Sequence, residues 1–368
     1  MTRVRRREFD VATIAEGVRS GNRAQLGRAI TLIESQLPKH QPLAEDLLTR
    51  LLPHSGNSQR VGITGVPGVG KSTFIEALGT LLTSRGHRVA VLAVDPSSGV
   101  TGGSILADKT RMMTLAADEN AFIRPSPSSG TLGGVARKTR ETMLVCEAAG
   151  YDVVLVETVG VGQSETVVAG MTDVFLALML PNAGDEMQGI KRGLLELVDL
   201  IAVNKADEDN MTAARRAVQE YINAMHYTRS ASHAKRGGPA MPPVLTCSAL
   251  ERRGIAEVWA AVEQRIGAMR DSGALAERRR DQALQWTEAL IQEGLQRLLH
   301  NHEGARKVRR DVESAVRAGE LPASVAAQRV LDAFAVDLCE ASAHSDHGSA
   351  KSAKSATSVS GARADHGS

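Results

Sequence analysis

A chain of 368 residues with 42% hydrophobic content has room for one large α/β domain and satellite helices, which excludes a small scaffold held by covalent staples. Bases and acids nearly cancel, 44 against 42, leaving a net charge of +2 and no long basic block, so nucleic acid is not the expected partner. Cys146, Cys247 and Cys339 lie far apart, which argues against a disulfide framework or a zinc site and fits a reducing cytoplasm; the longest apolar stretch, 174–180, is too short to span a bilayer.

In chain order, Arg3, Arg5, Arg6 and Arg7 are interrupted by Glu8 and Asp10, so they read as the basic start of a helix and not as a transit peptide. Residues 8–52 have helical spacing: Val11, Ile14 and Val18, then Leu26, Ile30, Ile33 and Leu37, then a run over 43–52. These helices are expected to pack against a sheet. From 60 to about 270, apolar runs alternate with helical ones, and strands are expected at 61–64, 89–94, 121–124, 153–158, 174–180, 200–204 and 244–248. The runs are apolar throughout, as in strands covered on both faces by crossover helices, so the expected fold is a doubly wound, mostly parallel sheet. Ligands of such sheets bind outside the carboxyl ends of the strands.

The stretch VGITGVPGVGKST at 61–73 satisfies G-x-x-x-x-G-K-[ST] through Gly65, Gly70, Lys71 and Ser72, between an apolar run and a helical one. Backbone from Gly65, Val66, Pro67, Gly68, Val69 and Gly70 to Lys71, Ser72 and Thr73 is expected to wrap a triphosphate at a helix N-terminus. Lys71 would reach the β- and γ-phosphates, and the Ser72 hydroxyl would hold Mg²⁺.

Asp95 ends the second strand and is expected to be a ligand of Mg²⁺ or its water, with Asp108 an outer acid in the segment that follows. Glu157, followed by Thr-Val-Gly160, has the makings of a γ-phosphate sensor: the acid holds Mg²⁺ through water and the glycine N–H reports the γ-phosphate. Val161 stands where Ras-type GTPases carry a water-orienting glutamine, and Gln163 lies two residues later, so slow intrinsic hydrolysis is expected. Asn204, Lys205 and Asp207 form N-K-x-D: the carboxylate can accept from both N1–H and the exocyclic amine of guanine, Lys205 would cover the ring, and Asn204 would brace the loop. Ser248, Ala249 and Leu250 would complete the base site with backbone N–H groups.

The sequence resembles the MeaB/ArgK family of GTPases, on GVPGVGKST at 65–73, VDPSS at 94–98, RPSPSSGTLGG at 124–134, ETVGVGQSE at 157–165, PNAGDEMQGIK at 181–191 and NKAD at 204–207. That resemblance implies a GTPase chaperone for adenosylcobalamin-dependent methylmalonyl-CoA mutase, and a homodimer joined through a C-terminal helical arm. It implies no nucleic-acid or membrane partner and leaves a cobalamin adenosyltransferase as an open candidate. The segment 181–191, with Gly184, Gly189, Asp185, Glu186 and Lys191, is expected to act as an additional switch, in which Lys191 stabilises charge at the phosphates when the mutase is bound. The other readings are a metal-insertion GTPase and a small-molecule or protein kinase linked to amino-acid transport.

The expected organisation is an N-terminal helical extension over 1–58, a GTPase domain over 59–270, a C-terminal helical arm over 271–340 and a disordered tail over 341–368. Helical patterns cover 254–300 and 325–338; Trp286 and its neighbours suit either a dimer surface or a local hairpin core. His344 and His347 in the tail are expected to be solvated.

Overall fold

The computed structural model describes residues 9–94, 112–125, 132–158, 164–181, 192–228 and 241–335. Helices α1 (Val11–Arg19) and α2 (Arg23–Ile33) start where a side chain answers the open N–H groups of the first turn: Asp10 accepts from Ala12 and Thr13, and Asn22 from Ala24 and Gln25. A proline in its first turn starts α3 (Gln41–Leu51). Val11, Ile14, Val18, Leu26, Ile30, Ile33, Leu47 and Leu51 are buried as expected, whereas Leu37, beyond the end of α2, and Leu52, beyond the end of α3, are 48% and 59% exposed.

Seven strands follow, β1 (Gln59–Gly65), β2 (Val89–Val94), β3 (Ala121–Arg124), β4 (Val153–Thr158), β5 (Val174–Met179), β6 (Leu200–Val203) and β7 (Val244–Thr246). They form one parallel sheet in the order β3-β2-β4-β1-β5-β6-β7, so every expected strand is present and β1 sits at the centre. Crossovers carry α4 (Lys71–Ser84), α5 (Met113–Ala117), α6 (Leu132–Ala148), α7 (Ser164–Ala169), α8 (Arg192–Leu197) and α9 (Met211–Thr228). After β7 come α10 (Ile255–Asp271), α11 (Ala274–Asn301), α12 (Glu303–Arg317) and a helix over 323–335.

Although the strands are apolar on both faces, alternate residues serve different layers. Val61, Ile63, Val91, Leu155 and Leu176 belong to a core shared with Phe74 and Leu78 of α4 and with Trp259, Val262 and Ile266 of α10. Each such side chain contributes about 1.5–3 kcal/mol by leaving water. The N-terminal helices depart from expectation: they pack on one another and on α6, which already covers the sheet, so they form an outer layer. Two polar ties reach the sheet edge directly. Arg23 donates to the carbonyls of Asp118, Glu119 and Ala121, and Arg124 pairs with Glu34.

At the amino ends of the strands, charged groups are buried in pairs. Arg279 donates to both carboxylate oxygens of Asp173, at 2.8 and 2.6 Å, and to the carbonyls of Gly56 and Ser58. Asp199 accepts from Arg265 at 2.9 Å, from Arg278 at 3.2 Å and from the Phe175 N–H at 3.0 Å. Burial alone would raise the Asp199 carboxyl, but Arg278 and then Arg265 hold it below its ordinary value. Glu147 behaves likewise: burial raises it, and Arg60, Ser58 and the Gly56 N–H lower it further than burial raises it.

The chain divides into two compact units, with the boundary between Ala283 and Leu284, inside α11. In the second unit, α12 lies in a stretch for which the sequence signalled no helix; its buried residues are only Ala305 and Val312 among many charges, a weak apolar signal. Trp286 is half-buried, and Leu284, Ile291, Leu295 and Leu298 are 51–69% exposed along α11. Among the described residues no helix is long and apolar enough to cross a membrane.

Candidate nucleotide site at the carboxyl edge of the sheet

The central strand β1 ends at Gly65, and six residues later α4 begins at Lys71. A Cβ on Gly65 would stand 2.5 Å from the Leu178 carbonyl oxygen, and one on Gly70, at φ +93°, would stand 2.9 Å from Asn204 Nδ2. Both positions therefore need glycine, and the loop curls as the spacing predicts. Lys71 Nζ donates to the carbonyl oxygens of Gly65 at 2.8 Å and Val66 at 3.4 Å. Burial lowers the Lys71 pKa, while the Glu157 and then the Glu165 carboxylates oppose that shift. The ammonium is thus held by two neutral acceptors of the loop itself, and it sits within the field of two acids.

Glu157 lies near the end of β4 and is buried; Ser72 Oγ donates to its Oε1 at a long 3.4 Å. Beneath them, Thr158 Oγ1 donates to Thr64 Oγ1 at 2.9 Å, joining β4 to β1. A hydroxyl and a carboxylate facing each other this loosely are hard oxygen donors of the kind Mg²⁺ takes, beside a cation and a helix N-terminus suited to phosphate. The residues present fit Mg²⁺ and a nucleotide's phosphates.

The base loop leaves β6 at Asn204. Its Nδ2 donates to the Val69 carbonyl at 2.8 Å, its Oδ1 accepts from the Ala249 N–H at 3.0 Å, and its backbone N–H donates to Met179 O at 2.8 Å. One buried amide therefore joins the phosphate loop, the base loop and the loop after β7. Ser248 Oγ donates to Asp207 Oδ1 at 2.5 Å and accepts from the Glu251 N–H at 3.0 Å. Here the structure differs from expectation: the Ala249 N–H is engaged by Asn204, and the Ser248 N–H donates to Arg253 O at 2.9 Å. Both N–H groups brace the loops in this structure. Leu250 is 78% exposed beside them, and Cys247 is buried, which pushes its thiol up to about 12.

The structure brings Gly65 through Thr73, Glu157, Asn204, Lys205, Asp207, Ser248, Ala249 and Leu250 to one edge of the sheet, on strand ends, on loops and on the first turn of α4. Asp95, Asp108, Gly160 and Lys191 lie outside the described residues, as do Gln163 and 182–191. Two features escaped the sequence reading. Glu165, in the first turn of α7, is buried with its charge acting on Lys71; a carboxylate opening the helix after the Glu157 loop was the available signal. Glu251 and Arg253 pair at 2.6 Å beside the base loop, and nothing in their spacing announces it.

A glycine-bound phosphate loop at the end of the central strand and an N-K-x-D loop two strands away, tied together through Asn204, define a P-loop GTPase. The model of the family described as "Methylmalonyl Co-A mutase-associated GTPase MeaB" matches residues 26–304, and the chain belongs to this family. "Probable GTPase Rv1496" of Mycobacterium tuberculosis is 56% identical over 321 residues, covering 87% of this chain and 94% of that one. "GTPase ArgK" of Escherichia coli is 54% identical over 278 residues, 75% of this chain and 82% of that one. "Methylmalonic aciduria type A homolog, mitochondrial" of Mus musculus is 45% identical over 328 residues, 86% and 78%. The crystal structure of a LAO/AO transport system kinase superposes with a TM-score of 0.70 at 42% identity, over 89% of this chain and 98% of that one. The protein is accordingly an enzyme that hydrolyses GTP to GDP and phosphate, with GTP or GDP and Mg²⁺ as its ligands.

Proposed function

We propose that this GTPase is a chaperone of an adenosylcobalamin-dependent methylmalonyl-CoA mutase or a close relative, that it gates cofactor loading, and that it protects or reactivates the mutase. The observation that carries this reading is the family match over 26–304, whose description names association with that mutase. Lys71 would leave the Gly65 and Val66 carbonyls for the β- and γ-phosphates, Ser72 and Glu157 with Asp95 and Asp108 would hold Mg²⁺, and Gly160 would report the γ-phosphate. Asp207 would read guanine between Lys205 and the 248–250 loop. Lys191, in the additional switch, would stabilise charge at the phosphates once the mutase is bound.

The working form would be a cytoplasmic homodimer, organised as helical extension, GTPase domain, arm and tail. Support for the dimer is the exposed row of Leu284, Ile291, Leu295 and Leu298 on α11, and support for a reducing compartment is that Cys146 and Cys247 are both unpaired. A cobalamin adenosyltransferase is a further partner to test.

The test is phosphate release from GTP with and without saturating mutase, in wild type and Lys191→Ala. Acceleration by mutase in wild type and its loss in the variant is the expected result. Equal stimulation would remove Lys191 from the mechanism, and no stimulation would remove the coupling. The kinase reading, which the name of the LAO/AO transport system kinase favours, requires radiolabelled phosphate to appear on a small acceptor. A metal-insertion role would need a Cys/His cluster, and no group of metal-ligating side chains occurs among the described residues.

A further inference from the structure

Among the described residues, two that are not glycine have positive φ: Lys205 at +59° and Arg252 at +55°. Side chains are rarely found there, and such a conformation persists only where the surroundings hold it. The two residues stand on neighbouring loops, Lys205 within N-K-x-D and Arg252 within the turn closed by the paired backbones of Ser248 and Arg253. Arg253 links the loops. Its Nη2 donates to the Ala206 carbonyl at 3.1 Å, and it pairs with Glu251 Oε2 at 2.6 Å. From the other side, the Ala206 N–H donates to the Cys247 carbonyl at 3.0 Å. The peptide that follows Lys205 is therefore fixed by Cys247, and the peptide that leads into Asp207 is fixed by Arg253.

We infer that Arg253 is a positioning residue for base specificity: by holding the Ala206 carbonyl it sets the direction of the Asp207 carboxylate. The preference for a purine carrying both N1–H and a 2-amino group then depends on Arg253. The inference rests on Asp207 as the guanine reader. A carboxylate must accept from both donors at once to distinguish guanine from hypoxanthine, which keeps N1–H and lacks the amine, so a small rotation costs the second contact first. The Arg253–Glu251 pair is partly open to solvent, with side chains 45% and 35% exposed, so its value is directional and not a gain in charge energy.

The experiment measures equilibrium affinity of the full chain for GTP, ITP and ATP, together with KM, kcat and the thermal midpoint, in wild type, Arg253→Ala and Arg253→Lys. Wild type should prefer GTP to ITP and strongly to ATP. Arg253→Ala should cut the GTP-to-ITP preference about tenfold, the size expected for one lost hydrogen bond to a charged group. KM for GTP should rise while kcat stays within about twofold, because the phosphate loop is untouched. Arg253→Lys, which keeps a donor but not the fork, should restore part of the preference. A GTP-to-ITP ratio in Arg253→Ala equal to that of wild type overturns the inference. So does an equal loss for all three nucleotides, which marks general damage to the loop. A wild type that binds GTP, ITP and ATP alike removes the guanine reading itself, and the inference with it.

Discussion

At their amino ends, β1, β5 and β6 are held by charges that meet each other: Arg279 with Asp173, Arg265 and Arg278 with Asp199, and Arg60 with Glu147. At the carboxyl end of the central strand a cation is held by neutral acceptors. Lys71 rests on two carbonyls and Ser72 reaches Glu157 only at 3.4 Å. Buried charges paired within the protein are held by the fold itself, and removing one partner strands the other. A cation on neutral acceptors is different, because a phosphate is a better partner and can replace them. One end of the sheet is thus arranged for permanence and the other for exchange.

The largest effect should come from breaking the permanent end. Asp199→Ala leaves Arg265 buried without its carboxylate, and the expected loss is about 3–5 kcal/mol in denaturant unfolding. GTP affinity of the folded fraction should hardly change. Lys71→Ala should show the reverse: tight GTP binding falls about a hundredfold or more, measured by titration with a fluorescent nucleotide, while the unfolding midpoint stays near that of wild type. If Lys71→Ala binds GTP normally, or if it unfolds the protein, the contrast between the two ends fails.

Asp207→Asn should have an intermediate effect, weakening GTP by about tenfold and favouring xanthosine triphosphate, because the amide can donate to xanthine's extra carbonyl. Competition between the two nucleotides reads it. A pH series sharpens the comparison further. Asp199 and Glu147 have folded-state values below their ordinary ones, so the stability they contribute is present above the unfolded-state values near ~4 and is lost as pH falls through the folded values. The unfolding midpoint should therefore drop below about pH 4, and with the same profile in Lys71→Ala as in wild type. The smallest change in the GTPase unit is expected from Ile291→Asp on α11, which is 51% exposed: light scattering should show a lower mass, with hydrolysis by the chain little altered.

What could be read from sequence was local. The strands at 61–64, 89–94 and 153–158 announced themselves as apolar runs between helical spacings, and Gly65, Gly70, Lys71 and Ser72 stand at fixed offsets because one turn and one helix start impose them. N-K-x-D is legible for the same reason: one loop carries Asn204, Lys205 and Asp207 together. Even the burial of Ile14, Ile30 and Leu47 follows from helical spacing alone. The sequence by itself therefore determined the strands, the phosphate loop and the base-reading loop, but not the helix α12.

Tertiary structure alone decided which elements meet. Asp173 finds Arg279 across 106 residues, Asp199 finds Arg278 across 79, and Arg253 reaches Ala206 across 47. No period or motif relates such partners, since an ion pair demands proximity and not spacing. The same reason hid Glu165, whose importance comes from the fold bringing α7 beside Lys71. It also decided that α1, α2 and α3 lie on α6: an apolar stripe specifies that a face must be covered, but not by what.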